Sequence, residues 1–410
     1  MDQSVAELLS FLRANQHTMV AQLHQFCEIN TCTDNIKGLQ LMHNALKNAY
    51  IGIADTIESR QLPPVSTLNM SGQPILQPCG DLLYIRKRPK LKRRILLSGH
   101  MDTVYAASHP FQKLTYIDEN RINGPGVADM KGGLIVMLQA LAAFEESPDA
   151  GKLGWDVIIN ADEEIGSPAS SALFTELATH YEAALVYEPA MTIEGTLARN
   201  RKGSGKLTLI ATGKAAHAGR AFYEGRNAIC FLAEAITDIH ALNGKRDGVT
   251  INVGLIAGGE ALNVVPDKAI AKLDVRIGQP DDESWLRARI ASIASKRQGE
   301  GFSLTVHGDF GRPVKRVNRA TQHLFSRVQR LGKRLGLTID WQDSGGCCDG
   351  NNLAAHGLPV LDTLGVRGGG IHSANEFILL DSLVERAALS TLLLVELARG
   401  GEQYDNDAIS

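Results

Sequence analysis

Hydrophobic and polar positions alternate with two spacings in the first half of the chain. Apolar residues recur at helical spacing in three segments, which predict helices at 6–26, 36–49 and 132–144. Apolar runs too short for helices predict buried strands at 81–85, 95–97, 155–161 and 183–187. The segment 61–77 is rich in Pro, Ser and Asn and is predicted to be a loop, after which the strands 81–85 and 95–97 are expected to pair. Strands that alternate with helices and end in polar residues indicate a mainly parallel, helix-flanked sheet.

The pattern changes near residue 199. Half-buried strands are predicted at 206–211, 249–257, 269–277 and 302–306, with helices at 227–239 and 284–296. The order strand, helix, strand, strand, helix, strand is typical of a ferredoxin-like α/β sandwich. We therefore expect an inserted domain at 199–311 and a first domain made of 1–198 and 312–410, which resumes with a helix at 320–336, a strand at 359–361 and a glycine-rich loop at 368–372.

Composition limits the partners that we expect. The 410 residues are 44% hydrophobic and 21% charged, with a net charge of -3, so we expect a soluble protein with no affinity for nucleic acid or an anionic membrane. The one basic segment, 86–94, has no interleaved aromatic residues and is predicted to be a solvated strand turn. No apolar stretch approaches the roughly 20 residues that span a bilayer, and the amino terminus lacks a signal-peptide pattern, so we expect a cytoplasmic protein. The six cysteines form neither a disulfide framework nor a CxxC zinc pattern.

Five potential metal ligands lie at predicted strand ends or in glycine-rich loops of the first domain. They are His100, Asp129, Glu164, Glu188 and His372. Two imidazoles with three carboxylates suit zinc, with cobalt or manganese as alternatives. Five ligands exceed one tetrahedral site, but they suffice for two metals about 3.5 to 4 Å apart if one carboxylate bridges them.

Seven short strings carry a resemblance to a known family: GHMDTV, GPGVADMKGG, ADEEIGS, EPA, GKAAHAG, SGGCCDGNN and GIHSANE. The chain resembles the dinuclear zinc family of bacterial glutamate carboxypeptidase, acetylornithine deacetylase, succinyl-diaminopimelate desuccinylase and aminoacylase, in family order from about residue 97 to 377. The resemblance implies a zinc-peptidase-like catalytic domain interrupted by a lid domain that also forms a homodimer.

The same resemblance implies how the ligands divide between two zinc ions. His100 and Glu188 would hold one ion, Glu164 and His372 the other, and Asp129 would bridge both.

Other roles at the metal site also follow from the resemblance. Glu163 would be the general base, which takes a proton from water and returns it to the leaving amine. Asp102 would orient the His100 ring through its other nitrogen. The peptide bond between Asp129 and Met130 is expected to be cis.

The inserted domain and its return carry four candidates for substrate contact. By resemblance, His217 would reach the partner subunit's active site and stabilise the oxyanion, and Asn263 and Arg276 would help to bind carboxylate or carbonyl groups of the substrate. Arg312 is a candidate for carboxylate capture because guanidinium matches carboxylate bidentately. Structural ion pairing is the alternative for Arg276 and Arg312.

Two cysteines depart from the family pattern. Cys347 and Cys348 stand where many relatives have small hydroxyl residues beside the aspartate, here Asp349. Because the metals supply the nucleophile, Cys348 is interpreted as a lining residue or an adventitious metal binder.

Three functions are consistent with these residues. The first is hydrolysis of an amide bond in a small peptide to release a carboxyl-terminal amino acid, with glutamate-type substrates favoured. The alternative is a deacylase of N-acyl amino acids, such as acetylornithine deacetylase, which would use the same site. A non-catalytic, metal-dependent binding protein is least favoured, because Glu163 and all five ligand positions are intact.

Overall fold

The computed structural model describes residues 3–296 and 298–400. Its helices are α1 (Gln3–Cys27), α2 (Ile36–Tyr50), α3 (Gly132–Glu145), α4 (Ser171–Leu177), α5 (Ala228–His240), α6 (Asp281–Lys296), α7 (Arg319–Arg334), α8 (Asp349–Ala354) and α9 (Asp381–Arg399). The strands of the first half are β1 (Thr56–Arg60), β2 (Val65–Leu68), β3 (Pro74–Gln77), β4 (Leu82–Lys87), β5 (Arg94–His100), β6 (Thr115–Tyr116), β7 (Arg121–Asn123), β8 (Gly154–Asn160) and β9 (Ala184–Val186). The remaining strands are β10 (Leu197–Arg201), β11 (Gly203–Thr212), β12 (Ala216–His217), β13 (Thr250–Gly258), β14 (Val264–Val265), β15 (Lys268–Ile277), β16 (Ser303–Arg312), β17 (Trp341–Ser344), β18 (Val360–Leu361), β19 (Gly368–Gly369) and β20 (Phe377–Leu379).

A six-stranded sheet, in the order β1-β4-β8-β5-β9-β18, forms the centre of the first domain. The pairs β8/β5, β5/β9 and β9/β18 are parallel, which confirms the mainly parallel sheet. The expected pairing of 81–85 with 95–97 is wrong, because β8 lies between β4 and β5 and is hydrogen-bonded to both. The later strand β8 is therefore inserted between two strands that are consecutive in the chain.

Side chains that alternate along each strand of this sheet fill two cores. On β4, Leu83 and Ile85 pack into the layer formed by α1, α2, α3, α7 and α9, whereas Leu82 and Tyr84 face the layer of α4 and α8. Apolar side chains on both faces explain why the strands read as continuous hydrophobic runs.

One helical stretch within the described residues is long and apolar enough to cross a membrane by length and composition: Val127–Glu145, with a mean hydropathy of 1.5. This finding corrects the expectation that no stretch approaches that length. Because 89% of the stretch is buried inside the protein, it packs as the central core helix between α1 and α9.

The second sheet has the order β13-β15-β11-β16, with every pair antiparallel. Helices α5 and α6 supply the apolar side chains that cover one face and form a separate core. This arrangement confirms the predicted ferredoxin-like sandwich. The domain boundaries at 199 and 311 stay a prediction.

Part of the segment predicted to be a loop is a β-hairpin. Strands β2 and β3 pair antiparallel, and the turn between them reaches the face of the second sheet that its helices leave uncovered. Lys272 Nζ donates to the Leu68 carbonyl at 2.5 Å, and Lys268 Nζ donates to the Ser71 carbonyl at 3.4 Å. The hairpin therefore links the two domains.

The basic segment 86–94 forms the turn between β4 and β5. Its arginines are paired with acids: Arg88 with both oxygens of Glu145 at 2.6 and 2.7 Å, and Arg93 with Glu182 at 2.9 and 3.1 Å. Ion pairing, in addition to solvation, accounts for this cluster.

Candidate metal centre

Three strands of the central sheet bring acids and an imidazole to one edge. β5 ends at His100, β8 is followed by a short 3-10 turn at Glu163–Ile165, and Glu188 comes two residues after β9. Since these strands are parallel neighbours, their carboxyl ends open into the same crevice. Asp129 enters from the turn before α3, and His372 from the loop between β19 and β20.

The structure brings all five predicted ligands together. His100 Nε2 lies 3.1 Å from Asp129 Oδ1 and 3.8 Å from Glu188 Oε1. His372 Nε2 lies 3.3 Å from Asp129 Oδ2 and 3.2 Å from Glu164 Oε2. Asp129 thus directs one oxygen to each imidazole, which is the placement that a bridging carboxylate requires. The peptide bond between Asp129 and Met130 is cis, as expected.

The charges of the cluster fit divalent cations. Burial, together with the charge of Asp129, raises the pKa of Glu164 to about 8 and holds the pKa of Glu188 well above its ordinary value. Burial opposes ionisation of Asp129 as well, but hydrogen bonds from His100 and His372 outweigh it and lower the pKa of Asp129. Carboxylates crowded in this way gain from a neighbouring cation, and nitrogen with oxygen donors suits zinc, cobalt or manganese.

Asp102 contacts the other nitrogen of the His100 ring and also organises the neighbouring turn. His100 Nδ1 lies 2.9 Å from the carbonyl oxygen of Asp102 and 3.5 Å from its carboxylate, so the backbone makes the closer contact with the ring. The buried carboxylate accepts hydrogen bonds from the backbone N–H groups of Glu163 at 3.2 Å and Glu164 at 3.1 Å, and from Thr33 Oγ1 at 2.8 Å. Asp102 therefore fixes the turn that carries both glutamates.

Glu163 lies beside the cluster and lines the same crevice. One of its carboxylate oxygens lies within 4.8 Å of ligand atoms of His100 and Glu188. Burial raises the pKa of Glu163 to about 7, although Arg312 and His100 oppose this shift. A carboxyl group with a pKa near neutrality is suited to accept and return a proton.

The structure places Arg312 in an ion pair instead of leaving it free to capture substrate. Its side chain is 2% exposed, and Nη2 donates to Glu163 Oε1 at 2.6 Å and to Ser167 Oγ at 3.0 Å. Nη1 donates to Asn352 Oδ1 at 2.8 Å and to the carboxylate of Asp349. Of the two roles predicted for Arg312, carboxylate capture and structural ion pairing, the structure favours ion pairing, since its donors are already engaged in a buried network.

His217 lies on the small two-stranded ladder of β12 and β14, and Asn263 lies in the turn before β14. Neither residue lines the crevice of its own chain. His217 is exposed, and its Nδ1 accepts hydrogen bonds from the backbone N–H groups of Gly219 at 3.1 Å and Arg220 at 3.2 Å. In the neutral ring the proton is therefore on Nε2, which is left as an outward donor. Asn263 is also exposed, and its backbone carbonyl accepts a hydrogen bond from the backbone N–H of Ala218 at 2.9 Å. Their action on a partner's site stays a prediction.

Arg276 combines an ion pair with a contact at the crevice wall. It donates to both oxygens of Asp274, at 2.8 and 3.1 Å, and Nη1 lies 3.1 Å from Cys347 Sγ. Cys347 and the buried Cys348 are both free thiols that line the crevice. The lining interpretation of Cys348 agrees with this placement.

The crevice has a volume of about 420 Å³. Four predicted ligands and Glu163 line it. The other lining residues are Pro189, Ala190, Met191, Arg201, Ser344, Gly346, Cys347, Cys348, Thr363, Gly368, Gly369, Gly370 and Ile371. Its size is sufficient for a dipeptide-sized ligand.

Glu376 is a functional residue that the sequence interpretation missed. Its fully buried carboxylate accepts the backbone N–H groups of Gly126 at 3.0 Å, Ala128 at 2.8 Å and Asp129 at 3.0 Å, and the hydroxyl of Tyr105 at 2.6 Å. It therefore holds the turn that presents Asp129. In the sequence, the only indication of this role is its position four residues after His372 in the string GIHSANE.

Comparisons with known proteins agree on one family. The model of peptidase family M20/M25/M40 matches residues 96–396. Carboxypeptidase G2 of Pseudomonas sp. (strain RS-16) is 26% identical over 393 residues, which cover 94% of this chain and 90% of that protein. Succinyl-diaminopimelate desuccinylase 1 of Alteromonas mediterranea is 27% identical over 329 residues, 74% of this chain and 81% of that protein.

A solved structure supports the fold. The M20 family metallo-carboxypeptidase Sso-CP2 of Sulfolobus solfataricus superposes with a TM-score of 0.72 at 16% identity, covering 93% of this chain and 99% of that one. At that identity the likeness concerns the fold alone. The family match, however, spans most of the chain, and the chain therefore belongs to peptidase family M20/M25/M40 and is a metal-dependent hydrolytic enzyme.

Proposed function

We propose that this hydrolase releases the carboxyl-terminal amino acid from a small peptide or N-acyl amino acid, with glutamate-type substrates favoured. The observation that carries the proposal is Glu163, a carboxylate with a pKa near 7 that lies against the metal cluster without belonging to the ligand set that the resemblance implies. The match to carboxypeptidase G2 along 94% of the chain supports a carboxypeptidase over other amide hydrolases.

The five clustered residues would hold two divalent cations, zinc first and cobalt or manganese as alternatives. His100 and Glu188 face one side of Asp129, and Glu164 and His372 face the other. When bound, such ions supply Lewis acidity to a substrate carbonyl and lower the pKa of water.

The protein's own residues then carry the proton. Arg312 engages Oε1 of Glu163, which leaves Oε2 as the oxygen that takes a proton from water and returns it to the leaving amine. Asp102 fixes the backbone of Glu163, so the base is held close to the same position throughout the reaction.

A deacylase of N-acyl amino acids is the second candidate, favoured by the match to the desuccinylase over 74% of the chain. The two activities share the metal site and differ in the group recognised. They are therefore separated by substrate preference, not by the identity of the metal ligands.

The test is a panel of substrates assayed with added zinc, cobalt or manganese. The panel holds dipeptides and N-acyl amino acids with carboxyl-terminal glutamate, aspartate, leucine or lysine, together with N-acetylornithine and N-succinyl-diaminopimelate. We expect kcat/KM for glutamate-terminated substrates to exceed the others by at least about 10-fold. The Glu163→Gln protein serves as the control for contaminating hydrolases. A panel dominated by N-acetylornithine or N-succinyl-diaminopimelate would establish the deacylase instead.

A further inference from the structure

We propose that Arg312 is a positioning residue for Glu163, through which the inserted domain sets the orientation of the general base. The inference rests on the proposed role of Glu163 in hydrolysis. It assigns to Arg312 a task different from binding the substrate carboxylate.

The contacts of Arg312 suit a buried clamp. Nη2 donates to Glu163 Oε1 at 2.6 Å and also to the Glu163 carbonyl at 3.3 Å, so side chain and backbone of the base are held by one guanidinium nitrogen. The other nitrogen, Nη1, is anchored by Asn352 at 2.8 Å and by Asp349. With anchors on both sides, rotation of the guanidinium is restricted.

The anchor of Arg312 is itself fixed. Asp349 is 1% exposed, and Ser167 donates to its Oδ1 at 2.5 Å while also accepting from Arg312 at 3.0 Å. Asn352 donates to the Gly311 carbonyl at 3.0 Å, next to Arg312 in the chain. Capture of a substrate carboxylate would require Arg312 to leave these buried carboxylates unpaired, which is costly.

Arg312 is also the last residue of β16, where the chain returns from the inserted domain. It pairs with Ser204 of β11, and two residues further along β11 the Lys206 Nζ donates to the Ile165 carbonyl at 2.9 Å. Two side chains of the inserted sheet therefore hold the Glu163–Ile165 turn. A rotation of this sheet relative to the catalytic domain would move the base with it.

The decisive experiment is a double-mutant cycle with Arg312→Lys and Glu163→Gln. Lysine keeps the buried positive charge, so the protein can fold, but a single ammonium cannot bridge Asp349 and Glu163 as a fork does. We expect Arg312→Lys to lower kcat at least about 10-fold with KM changed less than about 3-fold, and to have an effect below about 2-fold in the Glu163→Gln background. Arg246→Ala is the matched control, because Arg246 is an ion-paired arginine of the inserted domain that contacts Asp281 and Asp282 at 2.9 Å, and its removal should leave kcat unchanged.

Two results would overturn the inference. A large rise in KM with unchanged kcat would show that Arg312 binds substrate, and equal losses in both backgrounds would show a general structural role. Crystal structures of the wild-type and Arg312→Lys proteins give a readout that is independent of activity: the carboxylate of Glu163 should change orientation. If the wild type hydrolyses nothing in the panel, the proposed function fails, and an unchanged Glu163 in the crystal would separately refute positioning.

Discussion

At the scale of single residues, the site depends on which atom of each side chain is engaged. Asp129 turns its two oxygens to different imidazoles, and His100 uses Nδ1 for the Asp102 carbonyl, which leaves Nε2 for the cluster. The backbone N–H groups of Glu163 and Glu164 both donate to the Asp102 carboxylate, yet the two side chains contact different partners, Arg312 and His372. The two neighbouring glutamates therefore differ in their surroundings, which fits the separate roles proposed for them.

The first prediction separates these two glutamates. Glu163→Gln keeps the shape of the side chain but cannot accept a proton, so kcat should fall at least about 10²-fold while two metal ions remain bound. The matched Glu164→Gln protein should instead lose metal. Elemental analysis beside steady-state kinetics checks both, and metal loss in Glu163→Gln would mean that the two roles are exchanged.

A second prediction concerns the stability of metal-free protein as a function of pH. Burial raises the pKa of Glu163 to about 7 and of Glu164 to about 8, and hydrogen bonds to Asp129 and Glu164 raise that of His372 to about 10. A group whose pKa is higher in the folded state stabilises the protein at low pH, and this stabilisation is lost as pH rises through the folded pKa. The melting temperature of chelator-treated protein should therefore fall as the pH rises from about 5 to about 10.

Zinc should reverse this trend, because its ligands bind in their deprotonated forms and zinc binding therefore strengthens as pH rises. Differential scanning calorimetry with chelator and with zinc makes the comparison. A melting temperature in chelator that stays constant or rises over this range would contradict the account.

Several residue roles were accessible from the sequence, and others were not. The sequence predicted the five residues that the structure brings together, because each follows a strand end or lies in a glycine-rich string that resembles the family. The sequence left the role of Arg312 open and missed Glu376, because their partners are distant in the chain: Glu163 is 149 positions from Arg312, and Asp129 is 247 positions from Glu376. No local pattern reports such contacts.

At the scale of elements, the turn before α3 shows how a long-range contact shapes a ligand. Gly126 has a φ of 71°, which residues with a side chain rarely adopt. In this turn the backbone N–H groups of Gly126, Ala128 and Asp129 all donate to Glu376. A carboxylate has enough acceptor sites for all of them and for Tyr105. The turn is therefore held by a residue that is about 250 positions away in the chain.

This arrangement gives the third prediction. Glu376→Gln replaces one acceptor oxygen with a donor that faces backbone N–H groups, so the turn should loosen and zinc affinity should fall about 10- to 100-fold. Competition with a chromogenic chelator measures the affinity. Glu385→Gln is the control, because Glu385 on α9 forms an ion pair with Arg367 at 2.9 Å. An equal loss of zinc affinity in Glu385→Gln would contradict a specific role for Glu376.

Strand order shows the limit of sequence patterns at this scale. Apolar runs located β4, β5, β8 and β9 to within a few residues, because burial on both faces requires hydrophobic side chains. The position of β8 between β4 and β5 depends on backbone pairing across more than 50 residues, which side-chain periodicity does not encode. The β2–β3 hairpin was missed because its strands are short and mostly exposed.

At the scale of the whole molecule, we propose that two chains form each complete active site. The inserted domain exposes apolar side chains on its edge strand β13, just before β14 and on β14 itself, namely Leu255, Ile256, Leu262 and Val264. His217 lies in the same domain with an outward donor. A two-fold pairing of inserted domains would cover such apolar residues and could direct His217 into the partner's crevice.

The fourth prediction tests that assembly. Mixing the Glu163→Gln and His217→Ala proteins should restore one complete site in each heterodimer, giving about a quarter of wild-type activity after random subunit exchange. Native mass spectrometry confirms the exchange. If activity does not recover although heterodimers form, His217 acts within its own chain or has no catalytic role.

The most direct test of the central claim, a hydrolase that depends on two metals, is a zinc titration of metal-free protein during release of glutamate from an N-acyl-glutamate. We predict negligible activity without metal and a rise that reaches its plateau at about two equivalents of zinc per chain. Full activity in the presence of chelator, or a plateau at one equivalent with the remaining sites unable to bind, would contradict the account.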